Sequence, residues 1–218
     1  MISILSYIKL LSIGMTYNIA LWFIGGIVSI SLGTLLGCLS HNQTKNKKIA
    51  KLIRLYVTIA RSIPLYIHLL CIYFIISYAI GINFSPFTAS LLAIICCVTA
   101  YAVEIIRSCI NAIPIGQWEA ASVLGYSYRQ TLNTIILPQI IPQVMPLIGN
   151  LSEELFKSTA IVSAIGVLDI TRTGMNIIAL NMNPEIIYLL IAVIYIITSL
   201  SIQNVLNYAQ KWISHDYF

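Results

Sequence analysis

The chain has 218 residues, 59% of them hydrophobic and only 9% charged, with a mean hydropathy of +0.90. A soluble globular domain carries roughly a quarter charged residues, so the composition excludes one and places the chain in a lipid bilayer. The net charge of +5 sits on basic residues clustered between apolar runs, which indicates basic loops at a membrane surface and no nucleic-acid partner.

A helix needs about 20 apolar residues to cross the hydrocarbon core. The first such run, residues 13–39, follows a single basic residue, Lys9. It continues too far without a small-residue cleavage pattern to be a removed signal, so it is read as a retained span. Gly25, Gly26 and a G-x-x-x-G at Gly33 and Gly37 suit close helix packing, within the subunit or at a dimer seam. The following loop, HNQTKNKKIAKLIR, holds Lys45, Lys47, Lys48, Lys51 and Arg54. A second span is predicted over residues 55–80, with His68 as a hydrogen-bonded residue between helices. The connection GINFS carries no basic residue.

The third predicted span covers residues 84–106. Glu104 and Arg107, three apart near its end, form a local ion pair. The apolar region 135–167 is too long for one straight span and holds Glu153, Glu154 and Lys157. It is predicted as one span followed by a broken or re-entrant piece. Pro138, Pro142 and Pro146 lie on one face there and mark either a bent pore-lining element or a structural kink. A last span follows at residues 186–206. The expected fold is therefore an all-α integral membrane protein of about five transmembrane helices, six being the alternative count. The basic loops place the N-terminus outside and the C-terminus in the cytoplasm. The five cysteines include no C-x-x-C pair and no neighbouring histidine cluster, so no metal site is expected.

Between the third and fourth spans lies GQWEAASVLGYSYRQTLNTIILPQ, residues 116–139, on the cytoplasmic side of this topology. A short helix ending at Gly125 would bring Ala120, Ala121 and Leu124 together, with Trp118 nearby. Two readings stand: an amphipathic helix on the inner leaflet with Trp118 at the interface, or a helix that docks into a soluble partner, with Glu119 as its orienting charge.

The wider string AYAVEIIRSCINAIPIGQWEAASVLGYSYRQTLNTIILPQIIP, residues 100–142, resembles the permease subunits of binding-protein-dependent ATP-binding-cassette (ABC) importers for polar amino acids. The matching positions are Tyr101, Glu104, Arg107, Gly116, Gln117, Glu119, Ala120, Ala121, Leu124, Gly125, Leu137, Pro138 and Gln139. Gly14-Met15-Thr16 opens the first span in the family manner. Arg61-Ser62-Ile63-Pro64-Leu65 is similar to a family motif with Thr in place of Ile63, and Lys157-Ser158-Thr159-Ala160 is similar to another.

The resemblance implies a single permease domain over residues 1–218 of the type I importer fold, in a bacterial cytoplasmic membrane. Its coupling helix would lie in a loop at about residues 113–128, with Gly116, Gln117, Glu119, Ala120, Ala121, Leu124 and Gly125 against a cytoplasmic ATPase. A second permease copy, identical or related, and an extracytoplasmic amino-acid-binding protein complete such a system. The chain has no G-x-x-x-x-G-K-[ST] loop, so it is expected to be no enzyme and to hold no cofactor, with ATP used by the partner.

The candidate substrate pathway is Asn150, Glu153, Glu154, Lys157 and Thr159. Ionisable groups at membrane depth face a cavity or one another, although charges solvated at the outer interface are the plainer alternative. Both acids can reach Lys157 on a helix, and pairing with one leaves the other carboxylate for a substrate ammonium or cationic side chain. The sequence departs from the family at Glu153 and Glu154, where apolar residues are more usual. An ion-gradient-driven secondary amino-acid transporter or channel is the competing function.

Overall fold

The structure is a computed structural model that describes residues 4–215. Every regular element among the described residues is helical. Helix α1 spans Ile4–Ser40, α2 Lys47–Ser62, α3 Leu65–Ile80 and α4 Pro86–Ala112. The short α5 covers Ile115–Val123. Helix α6 runs Tyr128–Ile165, α7 Ile170–Asn181 and α8 Pro184–His215. Four helices are long and apolar enough to cross a membrane, or five when α2 and α3 are taken as one broken span.

Local chemistry sets the boundaries. Asn46 caps α2 by accepting from the Ile49 N–H. Ser85 caps α4, whose first turn carries Pro86, a residue pre-set for that position. Ser127 and Gln130 form a reciprocal capping box at the start of α6, and Asp169 caps α7.

Two expectations need correction. Residues 55–80 do not form a straight span: α2 and α3 meet at a bend of 101°. Pro64 has no N–H to continue the helix, and its ring pushes Ile63 into extended backbone at φ −108°, ψ 127°. Region 135–167 is a single helix only as far as Ile165: α6 starts earlier, at Tyr128, tightens to a 3-10 turn over Thr159–Ile165 and stops at Gly166. The separate twelve-residue α7 follows it and was not foreseen.

The principal core lies between α1 and α4. Gly33 and Gly37 face Ala102 and Ile106 of α4, where a Cβ on Gly37 would sit 2.6 Å from the Ile106 Cβ. The G-x-x-x-G therefore serves packing within the subunit, as small residues do in membranes. Leu21, Ile94, Ala102 and Leu155 join α1, α4 and α6 in one cluster. Leu11, Phe156, Ile170 and Ile187 join α1, α6, α7 and α8 in a second. A buried polar clasp reinforces the latter. The Asn18 amide donates to Thr159 Oγ1 at 2.9 Å and Asp169 Oδ2 at 3.3 Å, while the Ile170 N–H donates to Asn18 Oδ1. Every partner is satisfied, the condition under which a buried polar network holds elements together.

Candidate functional site

Two features stand out from the helical body: a polar cleft beside the α2–α3 bend and the exposed helix α5.

The bend aims Arg61, at the end of α2, towards α4. Its guanidinium carbon lies 5.1 Å from the centre of the Tyr101 ring, within cation–π range. Arg61 Nη1 is 3.9 Å from Glu104 Oε2. Glu104 is gripped more tightly from its own helix, where Arg107 donates through Nη2 at 2.5 Å and Nε at 3.2 Å. The local ion pair read from the sequence is present and is shared with a second arginine. Around it lie two adjoining cavities. One, of about 360 Å³, has Arg61, Ser62, Tyr101, Glu154 and Ser158 in its wall. The other, of about 460 Å³, is lined by Arg54, Thr58, Arg61, Tyr101, Glu104 and Arg107. Arg61, Ser62 and Tyr101 belong to both, so the two form one cleft.

The pathway candidates separate in this geometry. Glu153 Oε1 pairs with Lys157 Nζ at 2.7 Å, one turn along α6. Glu154 is turned about 100° away on the helix and faces the 360 Å³ cavity. Lys157 borders a different groove, with Tyr195 and Ser199 of α8. Thr159 is fully buried in the polar clasp and also donates to the Phe156 carbonyl. Asn150 is exposed and lines neither cavity. The structure thus brings Glu154 alone of these five to the cleft, beside Arg61, Tyr101 and Glu104. Those three were legible as motif positions, but their convergence requires the bend at Pro64.

Helix α5 projects from one end of the bundle. Gly116, Gln117, Glu119, Ala120, Leu124 and Gly125 are exposed, whereas Ala121 is buried. Ala120, Ala121 and Leu124 are neighbours at helical spacing, as expected, but burial divides them. Ala121 packs against the body; Ala120 and Leu124 point away from it. Trp118 turns inward and stacks on His41, ring centres 5.3 Å apart. Beyond α5 the Gly125 N–H bonds to the Ser122 carbonyl and the Tyr126 N–H to that of Ala121. This paired capping pattern needs a left-handed residue, and Gly125 supplies it at φ +81°.

The family described as binding-protein-dependent transport system inner membrane component matches residues 10–215. The chain belongs to this family. It is a multi-pass inner-membrane protein and a transport component. Among this permease's relatives, a probable amino-acid ABC transporter permease, YckA of Bacillus subtilis (strain 168), is 36% identical over 84% of the chain and 79% of its own length. The L-cystine transport system permease TcyB of the same organism is 33% identical over 87% of the chain and 80% of its length. A solved amino acid ABC transporter with histidines superposes with a TM-score of 0.85 at 30% identity, covering 97% of this chain and 99% of that one.

Proposed function

We propose that this permease is the membrane-spanning subunit of an ATP-driven importer of polar amino acids, moved by a separate cytoplasmic ATPase that grips α5. The observation that carries the reading is the form of α5: a capped helix whose Gly116, Gln117, Glu119, Ala120 and Leu124 are exposed while Ala121 and Trp118 anchor it. The relatives' names supply the amino-acid class. The lysine-rich loop after α1 packs against α5 through His41 on Trp118, and against the start of α6 through Lys45 over Tyr128. A loop so basic belongs on the cytoplasmic side, which puts α5 there too. Residues 1–218 then act as one domain with the N-terminus outside. It works with a second permease copy and receives substrate from an extracytoplasmic amino-acid-binding protein.

Within this reading the cleft is the substrate pathway. A free amino acid presents a carboxylate and an ammonium group, and the cleft offers Arg61 for the first and Glu154 for the second. Glutamine or a basic amino acid suits such walls, a basic side chain having Glu154 as its partner. ATP-driven motion of α5 would shift the helices between inward- and outward-facing states, which nucleotide biases only through different affinity for the two.

The test is uptake into proteoliposomes holding the permease with its ATPase and binding protein, against a panel of labelled amino acids. Uptake of glutamine or of basic amino acids that requires ATP supports the proposal. Uptake driven by a proton or sodium gradient without ATP overturns it in favour of a secondary transporter.

A further inference from the structure

One contact set lies between the exposed face of α5 and the cleft: three rings and a six-residue loop beside α5. His41 follows the last residue of α1 and is fully buried. Its Nδ1 accepts from the Gln43 N–H at 3.2 Å, so the proton sits on Nε2. That nitrogen donates to Tyr128 Oη at 2.6 Å. The Trp118 ring of α5 lies 27° from parallel with His41, and Trp118 and Tyr128 are themselves 5.9 Å apart and 24° from parallel. The rings thus join the end of α1, the middle of α5 and the start of α6. A further bond, from the Asn42 N–H to Asn111 Oδ1 at 2.9 Å, holds the same loop to the end of α4.

What lies beyond the loop gives the arrangement its consequence. Asn46 caps α2 directly after it. Helix α2 is about 24 Å long at 1.5 Å per residue and packs Ile53, Val57 and Ala60 against Ala100 and Val103 of α4. Its far end carries Arg61, which contacts Glu104 and Tyr101 in the cleft. A push on α5 therefore has a short, packed route to the cleft through a rigid helix whose near end is tied to the loop that His41 stacks on α5.

We infer that the His41–Trp118–Tyr128 stack is a positioning device, which carries displacement of α5 through the loop at residues 41–46 into α2 and so to Arg61. This rests on α5 being the helix that the ATPase moves. The device depends on neutral His41, since a proton on Nδ1 would destroy its acceptance from Gln43. The titratable groups around it are Lys45 from its own loop, Lys47 from the first turn of α2 and Tyr128 from α6, with Cys38 of α1 beside Tyr128. Trp118 brings none from α5. Burial favours the neutral ring and Lys47 opposes a positive charge at His41, against an opposing contribution from the Gln43 side chain that is smaller than that of burial.

The test uses spin labels in the assembled permease–ATPase complex in nanodiscs, with ATP and vanadate as the probe. One label pair reports α5, at Ser122 against Tyr78; the other reports α2, at Ile59 against Tyr78. Both distances should change on trapping in the wild type. With Tyr128→Phe, which keeps the ring and removes the hydroxyl, the α5 change should remain while the α2 change is lost. His41→Gln retains a donor and an acceptor without titrating, so it should preserve the α2 change at acidic pH, where the wild type loses it. An α2 change that survives in both Tyr128→Phe and His41→Ala overturns the inference and leaves the coupling role of α5 intact. If the α5 distance does not change in the wild type, the coupling reading fails and this inference falls with it.

Discussion

Glu104, Glu153 and Glu154 lie on membrane-embedded helices, yet removing each charge has a different consequence. Glu153 pairs with a lysine whose side chain is more than half exposed. Glu153→Gln should therefore cost only about 0.2–0.5 kcal/mol, as for a surface pair one helical turn apart. Glu104 is shared by two arginines in a partly buried cleft, so Glu104→Gln leaves both guanidinium groups without their counter-charge while keeping one acceptor oxygen. A loss of about 1 kcal/mol in detergent-solubilised stability is expected, together with loss of uptake. Glu154 has no hydrogen bond or ion pair among the described residues, and Glu154→Gln should change stability by less than about 0.5 kcal/mol. It should nevertheless depress uptake, most for basic substrates. Thermal unfolding beside uptake assays separates the three; wild-type uptake of basic amino acids by Glu154→Gln would remove that residue from the pathway.

His41 adds a pH dependence at the same scale. Burial lowers its pKa from the ordinary 6.5, with Lys47 acting in the same direction. The folded protein then binds this proton less readily than the unfolded chain. The stabilising contribution is complete above pH 6.5 and is lost as the pH falls through the lowered folded value. Melting temperatures taken between pH 7.5 and 5 should fall more steeply for the wild type than for His41→Gln. Parallel curves would show that His41 does not titrate in the fold.

Among the elements, the α2–α3 bend and the end of α5 depend on single residues. Pro64→Ala restores an N–H and frees Ile63 to become helical. The bend should relax, carrying Arg61 away from Glu104 and abolishing uptake while the protein still reaches the membrane. Gly125→Val forces a β-branched residue into φ +81°, a strain of about 1–3 kcal/mol. No neighbouring atom would meet its Cβ, so the damage should be confined to the end of α5. ATP hydrolysis that continues without matching uptake is the expected result. Circular dichroism and uptake measured together distinguish this from general misfolding.

The elements also show what hydrophobic pattern reveals and what it hides. Long apolar runs located α1, α4, α6 and α8, because a bilayer demands length and apolarity from each helix separately. Helix α7, ITRTGMNIIALN, is too short and polar for that demand; its signal is the Asp169 cap, a local feature with no apolar run to point to it. The break in the second span was written in Ile63-Pro64, but hydropathy averages across such a bend. The rotation of Glu153 and Glu154 on α6 was half legible. Helical spacing allowed both to reach Lys157, and only packing against α4 decides which one faces the cleft.

On the scale of the whole molecule, the exposed surface points to further partners. In α8 the most apolar window is only 17% buried, so this helix is left facing lipid or a second copy of the permease. The cleft is likewise walled by exposed Arg61, Tyr101 and Glu154, an arrangement that a second copy could close. Its contact with Arg61 through α2, and with α5 through the His41 stack, makes the body a linked set of helices with the cleft at one end of the chain of contacts and the docking helix at the other. Under the proposed coupling, docking of α5 is the step on which transport depends. The most direct measurement is labelled amino-acid uptake per ATP hydrolysed in proteoliposomes of the complete importer, wild type against Glu119→Arg. A charge reversal on the exposed face of α5 should abolish most uptake and uncouple whatever hydrolysis remains. Unchanged uptake per ATP, or full-speed uptake with the ATPase omitted, would contradict the account.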